Sequence, residues 1–179
     1  ALIDGPESWD ASASDANGAD LDDDRPKEAC GVFAIRGPGR DVSHLTYLGL
    51  YALQHRGQES AGMAVSDREH ITVVKDMGLV SHVFDDRTLA ALDGDLAIGH
   101  TRYSTIGSSE WHNAQPVYRS TGLVHFALGH NGNLTNSGAL AAETAVLPGT
   151  ITSDTDLMAE LLADELGVGR ERGVAEDEL

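Results

Sequence analysis

The one cysteine of the 179-residue sequence, Cys30, lies directly before the apolar run Val32 to Ile35. A cysteine beside an apolar strand is most often a small buried hydrophobe. A nucleophilic role needs a base, since a free thiol has a pKa of about 8.5, and no papain-like motif or paired histidine accompanies Cys30. A cut between Ala29 and Cys30 would create such a base, because an α-amine has a pKa of about 7.7. These residues alone leave both interpretations open.

An arginine and an aspartate could together bind an amino acid. Arg102 stands in the polar loop of "GHTRYST". There its guanidinium could hold a carboxylate through two parallel charge-assisted bonds, although a surface arginine is the commoner case. Asp154, in "TSDTD", could cap a helix or accept bonds from a ligand ammonium. Together they would bind the carboxylate and the ammonium of an α-amino-acid zwitterion, but their spacing in the sequence does not show that they lie close together.

A third feature is the pair Asn131 and Gly132 in "GHNGNLTN", which follows an apolar strand. An Asn-Gly pair usually makes a tight turn. The alternative is an oxyanion hole, in which the Asn131 amide and the Gly132 backbone N–H point at a developing negative charge.

The segments around these residues predict an α+β domain of layered sheets and helices. The predicted strands are 32–35, buried on both faces, the hairpin 60–66 with 70–76, and 95–104, 123–132 and 149–153. The predicted helices are 41–57, 85–94, 137–147 and 153–167. The first has Asp41 as N-cap and Leu45, Leu48 and Ala52 on one face, and the last has a Ser153/Asp156 capping pair and the stripe Leu157, Leu161 and Leu162.

Charge is concentrated at the two ends of the sequence. The formal net charge is −17, and both residues 1–29 and residues 152–179 hold nine acidic against two basic residues. Such a field disfavours nucleic acid and anionic membrane surfaces as partners. The scattered histidines and the single cysteine predict no metal site and no cofactor in this chain, and a reducing, cytoplasmic location. Residues 1–29 are poor in large apolar residues, so we expect them to be disordered.

The motifs together resemble one family. "CGVFAI", "LQHRGQESAGMA", "IGHTRYSTIGSSEWHNAQP", "HNGNL" and "SDTD" follow in order from about residue 28 to about residue 166. They resemble the N-terminal glutaminase domain, a class II glutamine amidotransferase domain, of glutamine phosphoribosylpyrophosphate amidotransferases. The combination of "RYST", "NAQP" and "LQHRGQ" is more similar to this family than to amidotransferases that make glucosamine-6-phosphate, asparagine or glutamate.

The resemblance implies a fold and a set of roles. The fold is a four-layer αββα sandwich of the N-terminal-nucleophile hydrolase type, with residues 1–29 as an autocatalytically removed propeptide and 30–179 as the glutaminase domain. Cys30 is then the nucleophile and its freed α-amine the base. The remaining implied roles are an oxyanion hole of Asn131 and Gly132, a carboxylate contact from Arg102, an ammonium contact from Asp154, and a pocket lined by Tyr103 and Thr105.

The resemblance also implies partners outside this chain. In the family, ammonia released from glutamine passes to a C-terminal phosphoribosyltransferase domain, which uses phosphoribosyl pyrophosphate and magnesium in the first step of purine synthesis. Some members hold a [4Fe–4S] cluster, and the enzymes assemble as homo-oligomers. The sequence stops before that domain, so we expect only the glutaminase half-reaction here. The alternatives are another N-terminal-cysteine amidotransferase, such as the glucosamine-6-phosphate synthase type, or a non-catalytic glutamine-binding domain.

Overall fold

The computed structural model describes residues 30–103, 110–122, 124–143 and 151–171. Six strands are assigned within these ranges: β1 (Gly31–Arg36), β2 (Ser60–Ser66), β3 (Ile71–Met77), β4 (Leu96–Arg102), β5 (Val117–Ser120) and β6 (His125–Leu128). The first four form a sheet in the order β1-β4-β2-β3, and β5 pairs with β6. Every pairing is antiparallel. The predicted 60–66/70–76 hairpin is confirmed, whereas β5 was not predicted.

Strand β1 lies at the edge of the four-stranded sheet, where it pairs with β4 alone. Val32 is 39% exposed, and Ala34 is exposed as well. The prediction that this strand is buried on both faces is therefore wrong. A short apolar run is typical of a strand that is covered on both faces. Here Val32 and Ala34 lie on the same face of β1, and that face is exposed to solvent.

Within the described residues, five α-helices accompany the strands: α1 (Val42–Ala52), α2 (Val80–Val83), α3 (Asp86–Ala90), α4 (Ser137–Glu143) and α5 (Asp154–Glu171). The Asp41 side chain accepts the His44 N–H at 2.9 Å, which confirms the predicted N-cap of α1. The apolar face predicted for α1 is not the one that packs on the sheet, since Leu48 is 51% exposed and Leu50 is fully buried.

Helix α1 covers one face of the four-stranded sheet through Thr46 and Leu50. Both side chains lie against Gly99 of β4, where an added Cβ would come within 2.7 Å of each. Gly99 thus permits a close helix-to-sheet approach that a larger residue would prevent. Thr46 and Leu50 are buried because they fit this contact, whereas Leu48 points away from it.

The opposite face of the sheet is covered by the segment 113–116. An added Cβ at Gly62 of β2 would lie 2.1 Å from the Gln115 carbonyl oxygen, so this backbone rests directly on the strand. Beyond it, Arg119 of β5 forms ion pairs with Asp156 and Glu160 of α5. The middle of the sheet therefore lies between α1 on one side and the 113–116 segment on the other.

Helix α5 begins as its capping pattern predicts. The Ser153 hydroxyl oxygen accepts the Asp156 N–H at 3.2 Å, and Leu157 is 1% exposed. Leu162 is 39% exposed, so only part of the predicted stripe faces the core. The described part of the predicted strand 149–153, residues 151–153, is not a strand. The predicted disordered segment 1–29 and the end of the helix predicted over 137–147 lie outside the described residues.

These elements confirm the predicted α+β class with antiparallel sheets. Among the described residues, no helix is both long and apolar enough to cross a bilayer.

Candidate active site

Antiparallel pairing of β1 with β4 places the cysteine at the end of β4. Gly31 is the register partner of Thr101, and the Gly31 N–H donates to the Thr101 hydroxyl oxygen at 3.2 Å. One residue further out, Cys30 lies beside the point where β4 gives way to Tyr103. The Tyr103 N–H donates to Cys30 Sγ at 3.4 Å, and Sγ lies 3.6 Å from the Tyr103 carbonyl oxygen. The thiol is therefore held against backbone polar groups and is not a residue of the apolar core.

Two further side chains contact the backbone of Cys30. The Asn131 side-chain amide donates to the Cys30 carbonyl oxygen at 2.6 Å across 101 residues of sequence. Arg56 Nε donates to the same oxygen at 3.3 Å. The structure thus brings Cys30, Tyr103 and Asn131 together, and Gly132 follows Asn131 in the same exposed loop.

Arg102 is 6% exposed and forms an ion pair with Glu59. It is the register partner of Ser60, so the strand pairing brings Glu59 beside it. A buried guanidinium without a carboxylate would be strongly destabilising. The pair fixes Arg102 next to Tyr103, and a binding role for Arg102 toward a ligand carboxylate stays a prediction.

Asp154 joins the loop of Asn131 to helix α5. Its Oδ2 accepts the Leu134 N–H at 3.2 Å and its Oδ1 accepts the Thr155 N–H at 2.8 Å. His130 Nδ1 lies 3.7 Å from Oδ2. The carboxylate therefore has a structural role whether or not it also binds a ligand ammonium, which stays a prediction.

The loop that carries Asn131 is held by two buried side chains. His100 of β4, with no exposed surface, donates from Nε2 to the His130 carbonyl oxygen at 3.0 Å. The Gln115 side-chain oxygen accepts the His130 N–H at 2.7 Å. Both backbone polar groups of His130 are satisfied in this way, directly before Asn131.

Burial lowers the pKa of His100 from its ordinary value of 6.5 to about 4. The hydrogen bond to the His130 carbonyl opposes this shift, while the charges of Arg102 and His130 add to it. His100 Nδ1 is buried without a hydrogen-bond partner in the described part of the chain. A proton there would have nothing to donate to, so the neutral imidazole with its proton on Nε2 is the form that fits.

We expect acid to destabilise the fold through His100. The unfolded chain binds this proton below about pH 6.5, and the folded chain only below about pH 4. The contribution of neutral His100 to the free energy of unfolding is therefore complete above pH 6.5 and is lost as the pH falls toward 4. The loss is up to about 1.4 kcal/mol per pH unit, or about 3 kcal/mol in total. Urea unfolding of the wild type and His100→Gln across this range measures it. Equal pH dependence in both proteins would contradict the assignment, since glutamine does not titrate.

The contacts of four residues at the site were not predicted: Arg56, Glu59, His100 and Gln115. Arg56 and Gln115 lie in the quoted motifs "LQHRGQ" and "NAQP", but nothing in their spacing indicated which backbone groups they hold. Glu59 gave no sequence signal as the partner of Arg102. Thr105, predicted to line the pocket, lies outside the described residues.

Sequence comparison finds relatives over most of the chain. Amidophosphoribosyltransferase of Mycobacterium tuberculosis is 56% identical over an alignment of 146 residues, and the match covers 77% of this chain and 28% of that protein. The amidophosphoribosyltransferase of Synechococcus elongatus is 51% identical over 156 residues, 86% of this chain and 32% of that protein. The chain thus spans about a third or less of the curated relatives it matches. No family model matched it.

Two solved structures are similar as well. One is described as the allosteric regulatory enzyme of purine biosynthesis, with a TM-score of 0.66 and 40% identity. The match covers 73% of this chain and 29% of the chain in that structure. The other, the glutamine phosphoribosylpyrophosphate amidotransferase from B. subtilis complexed with ADP and GMP, has a TM-score of 0.59 and 36% identity. This match covers 75% of this chain and 28% of the chain in that structure.

In sequence and fold the chain is similar to a class of glutamine amidotransferases. Within that class, its matched residues correspond to the N-terminal portion of amidophosphoribosyltransferase, and the family predicted from the motifs is confirmed.

Proposed function

We propose that residues 30–179 form a glutaminase domain that hydrolyses glutamine to glutamate and ammonia with Cys30 as the N-terminal nucleophile. The contact that carries this proposal is the 2.6 Å hydrogen bond from the Asn131 amide to the Cys30 carbonyl oxygen. It fixes a side-chain N–H donor beside the residue whose thiol would attack.

The base is the α-amine of Cys30 after cleavage of the Ala29–Cys30 bond. With residues 1–29 attached, the Cys30 nitrogen is an amide and cannot take a proton. An α-amine with a pKa of about 7.7 is partly unprotonated at neutral pH. The Tyr103 N–H, 3.4 Å from Sγ, would stabilise the thiolate formed when the amine accepts the thiol proton.

The arrangement of layers supports the N-terminal-nucleophile type of fold. Helix α1 lies on one face of the four-stranded sheet, and the β5–β6 pair with α5 lies beyond the other. We assign this order of helix, sheet, sheet and helix to a four-layer αββα sandwich with Cys30 at its first strand.

Glutamine would be oriented by its α-carboxylate and α-ammonium. Arg102 would hold the α-carboxylate, because a guanidinium can bind a carboxylate through two parallel charge-assisted hydrogen bonds. Asp154 would accept from the ammonium, and Tyr103 and Thr105 would line the pocket. These contacts leave the side-chain carboxamide to reach Cys30.

The reaction then proceeds in two steps. The Cys30 thiolate adds to the carboxamide carbon, and the Asn131 amide with the Gly132 N–H stabilises the oxyanion. Collapse of this intermediate breaks the C–N bond, and the protonated amine returns its proton to the leaving ammonia. Water then hydrolyses the γ-glutamyl thioester, which releases glutamate and regenerates the thiol.

The activity of the whole protein is part of the same proposal. We propose that the ammonia is used in a C-terminal domain with phosphoribosyl pyrophosphate, which the name of one similar structure contains, to form 5-phosphoribosylamine. Magnesium would belong to that domain. The residues of this chain do not fit an iron–sulfur cluster, because a [4Fe–4S] cluster needs several thiolates and the sequence holds one cysteine. The cytoplasmic location and the homo-oligomer stay predictions.

Intact mass and N-terminal sequencing of active protein, paired with a glutaminase assay, test the proposal. We expect the mature protein to start at Cys30 and to release glutamate from glutamine. Active protein that keeps residues 1–29 would exclude the α-amine as base. Formation of phosphoribosylamine by the full-length protein separates this function from that of other N-terminal-cysteine amidotransferases, and absence of any turnover would favour a glutamine-binding domain.

A further inference from the structure

We propose that His100 and Gln115 are positioning residues for glutamine hydrolysis, which hold the loop of Asn131 and Gly132 in the geometry that receives the oxyanion. This inference rests on the proposed glutaminase function. Neither side chain is required to touch the substrate, so their effect would be exerted through the backbone of His130.

His100 fixes the backbone carbonyl group of His130. It lies in β4, two residues before Arg102, and has no exposed surface. The strand is held on both sides by β1 and β2, so the imidazole is a fixed donor to the His130 carbonyl at 3.0 Å. A rigid strand thereby determines where the exposed loop begins.

Gln115 fixes the backbone N–H group of His130. Its oxygen accepts the His130 N–H at 2.7 Å, and its side-chain nitrogen donates to the buried Thr155 hydroxyl at 2.9 Å. Its own backbone rests on Gly62 of the central strand β2. Gln115 therefore connects the loop both to the sheet and to helix α5.

With both polar groups of His130 fixed, the peptide plane that precedes Asn131 has one orientation. The loop residues themselves are exposed and cannot be fixed by core packing. Oxyanion stabilisation depends on donors that are already in place when charge develops, and a displacement of about 1 Å can lower a rate by about 100-fold. Loss of either side chain should thus impair the chemical step more than substrate binding.

The test compares His100→Leu, Gln115→Met and His100→Gln in the mature full-length protein. The first two remove the contacts to His130, whereas glutamine at position 100 offers an amide N–H donor near the place of imidazole Nε2. His70→Leu is the matched control, because the His70 side chain is 77% exposed in the β2–β3 turn. Three quantities are measured: kcat and KM for glutamine, the rate of Cys30 alkylation by iodoacetamide, and hydrogen exchange of the 129–134 segment.

We expect His100→Leu and Gln115→Met to lower kcat by about 10-fold to 100-fold with KM changed by less than about threefold. Alkylation of Cys30 should keep its rate, since displacement at the iodoacetamide methylene carbon forms no oxyanion. Exchange across 129–134 should become faster, and His100→Gln should recover most of kcat. The His70→Leu control should match the wild type in all three.

Several results would overturn the inference. They are an unchanged kcat in both removal variants, a rise in KM alone, a loss of alkylation parallel to the loss of kcat, or no recovery in His100→Gln. If His100→Leu does not fold, Gln115→Met decides the matter. If the wild type does not hydrolyse glutamine, the proposed function fails. Hydrogen exchange then still tests whether His100 and Gln115 fix the loop. Unchanged exchange in the variants would refute this role, and faster exchange would support it.

Discussion

Replacing Cys30 with alanine is expected to abolish glutamine hydrolysis in the mature protein. A covalent mechanism has no substitute for its nucleophile, so kcat should fall by on the order of 10⁴-fold or more. Cys30 is the one cysteine of this sequence, and the hydrogen bonds that the described structure shows for its thiol are to the Tyr103 backbone. The measurement is glutamate release in a coupled assay with the highest practical protein concentration.

The fold should survive this change, because the thiol is half-buried and outside the hydrophobic core. Thermal unfolding of Cys30→Ala should therefore stay close to that of the wild type. The variant must be made so that it begins at residue 30, since an unprocessed chain would be inactive for a separate reason. Retained turnover in a correctly trimmed Cys30→Ala protein would remove Cys30 from the nucleophile role.

The second large effect is expected for Asn131→Ala. Loss of one oxyanion-hole donor lowers kcat by about 10²-fold to 10³-fold, which corresponds to about 3 kcal/mol of barrier. The Asn131 amide donates to the Cys30 carbonyl, and its second N–H is the one we assign to the oxyanion. Since the negative charge exists only in the transition state and intermediate, KM should change little. Steady-state kinetics with glutamine provide both constants.

Asn136→Ala is the matched control for Asn131→Ala. Asn136 is an exposed asparagine five residues further along the same segment, next to the start of α4. It should keep the wild-type kcat. A higher KM with normal kcat in Asn131→Ala would instead indicate that Asn131 binds the substrate, and equal losses in both variants would indicate a general disturbance of the loop.

The sequence predicted the local parts of this fold well. The hairpin β2–β3, the Asp41 cap of α1 and the Ser153 cap of α5 are all confirmed. Each depends on residues close together in the chain, whose alternation or capping chemistry is visible in the sequence itself.

The errors concern partners that lie far away in the sequence. The apolar run of β1 could not show that this strand is an edge, because sheet order depends on which distant strands pair. The face of α1 that is buried depends on Gly99 of β4, which accepts Thr46 and Leu50 at close range. Local periodicity does not contain that information.

By itself, then, the sequence determined the chemical types present at the site: a thiol before the first strand, an arginine, an asparagine after an apolar strand, and an aspartate at the start of a helix. The loop position expected for Arg102 is wrong, since it is the last residue of β4 and is buried. Only the tertiary structure decided that Cys30 meets Asn131 across 101 residues, that Arg102 pairs with Glu59, and that His100 and Gln115 hold the loop of His130. The physical reason is that these contacts follow from strand register and layer packing. Both are set by the burial of the whole domain and not by any one segment.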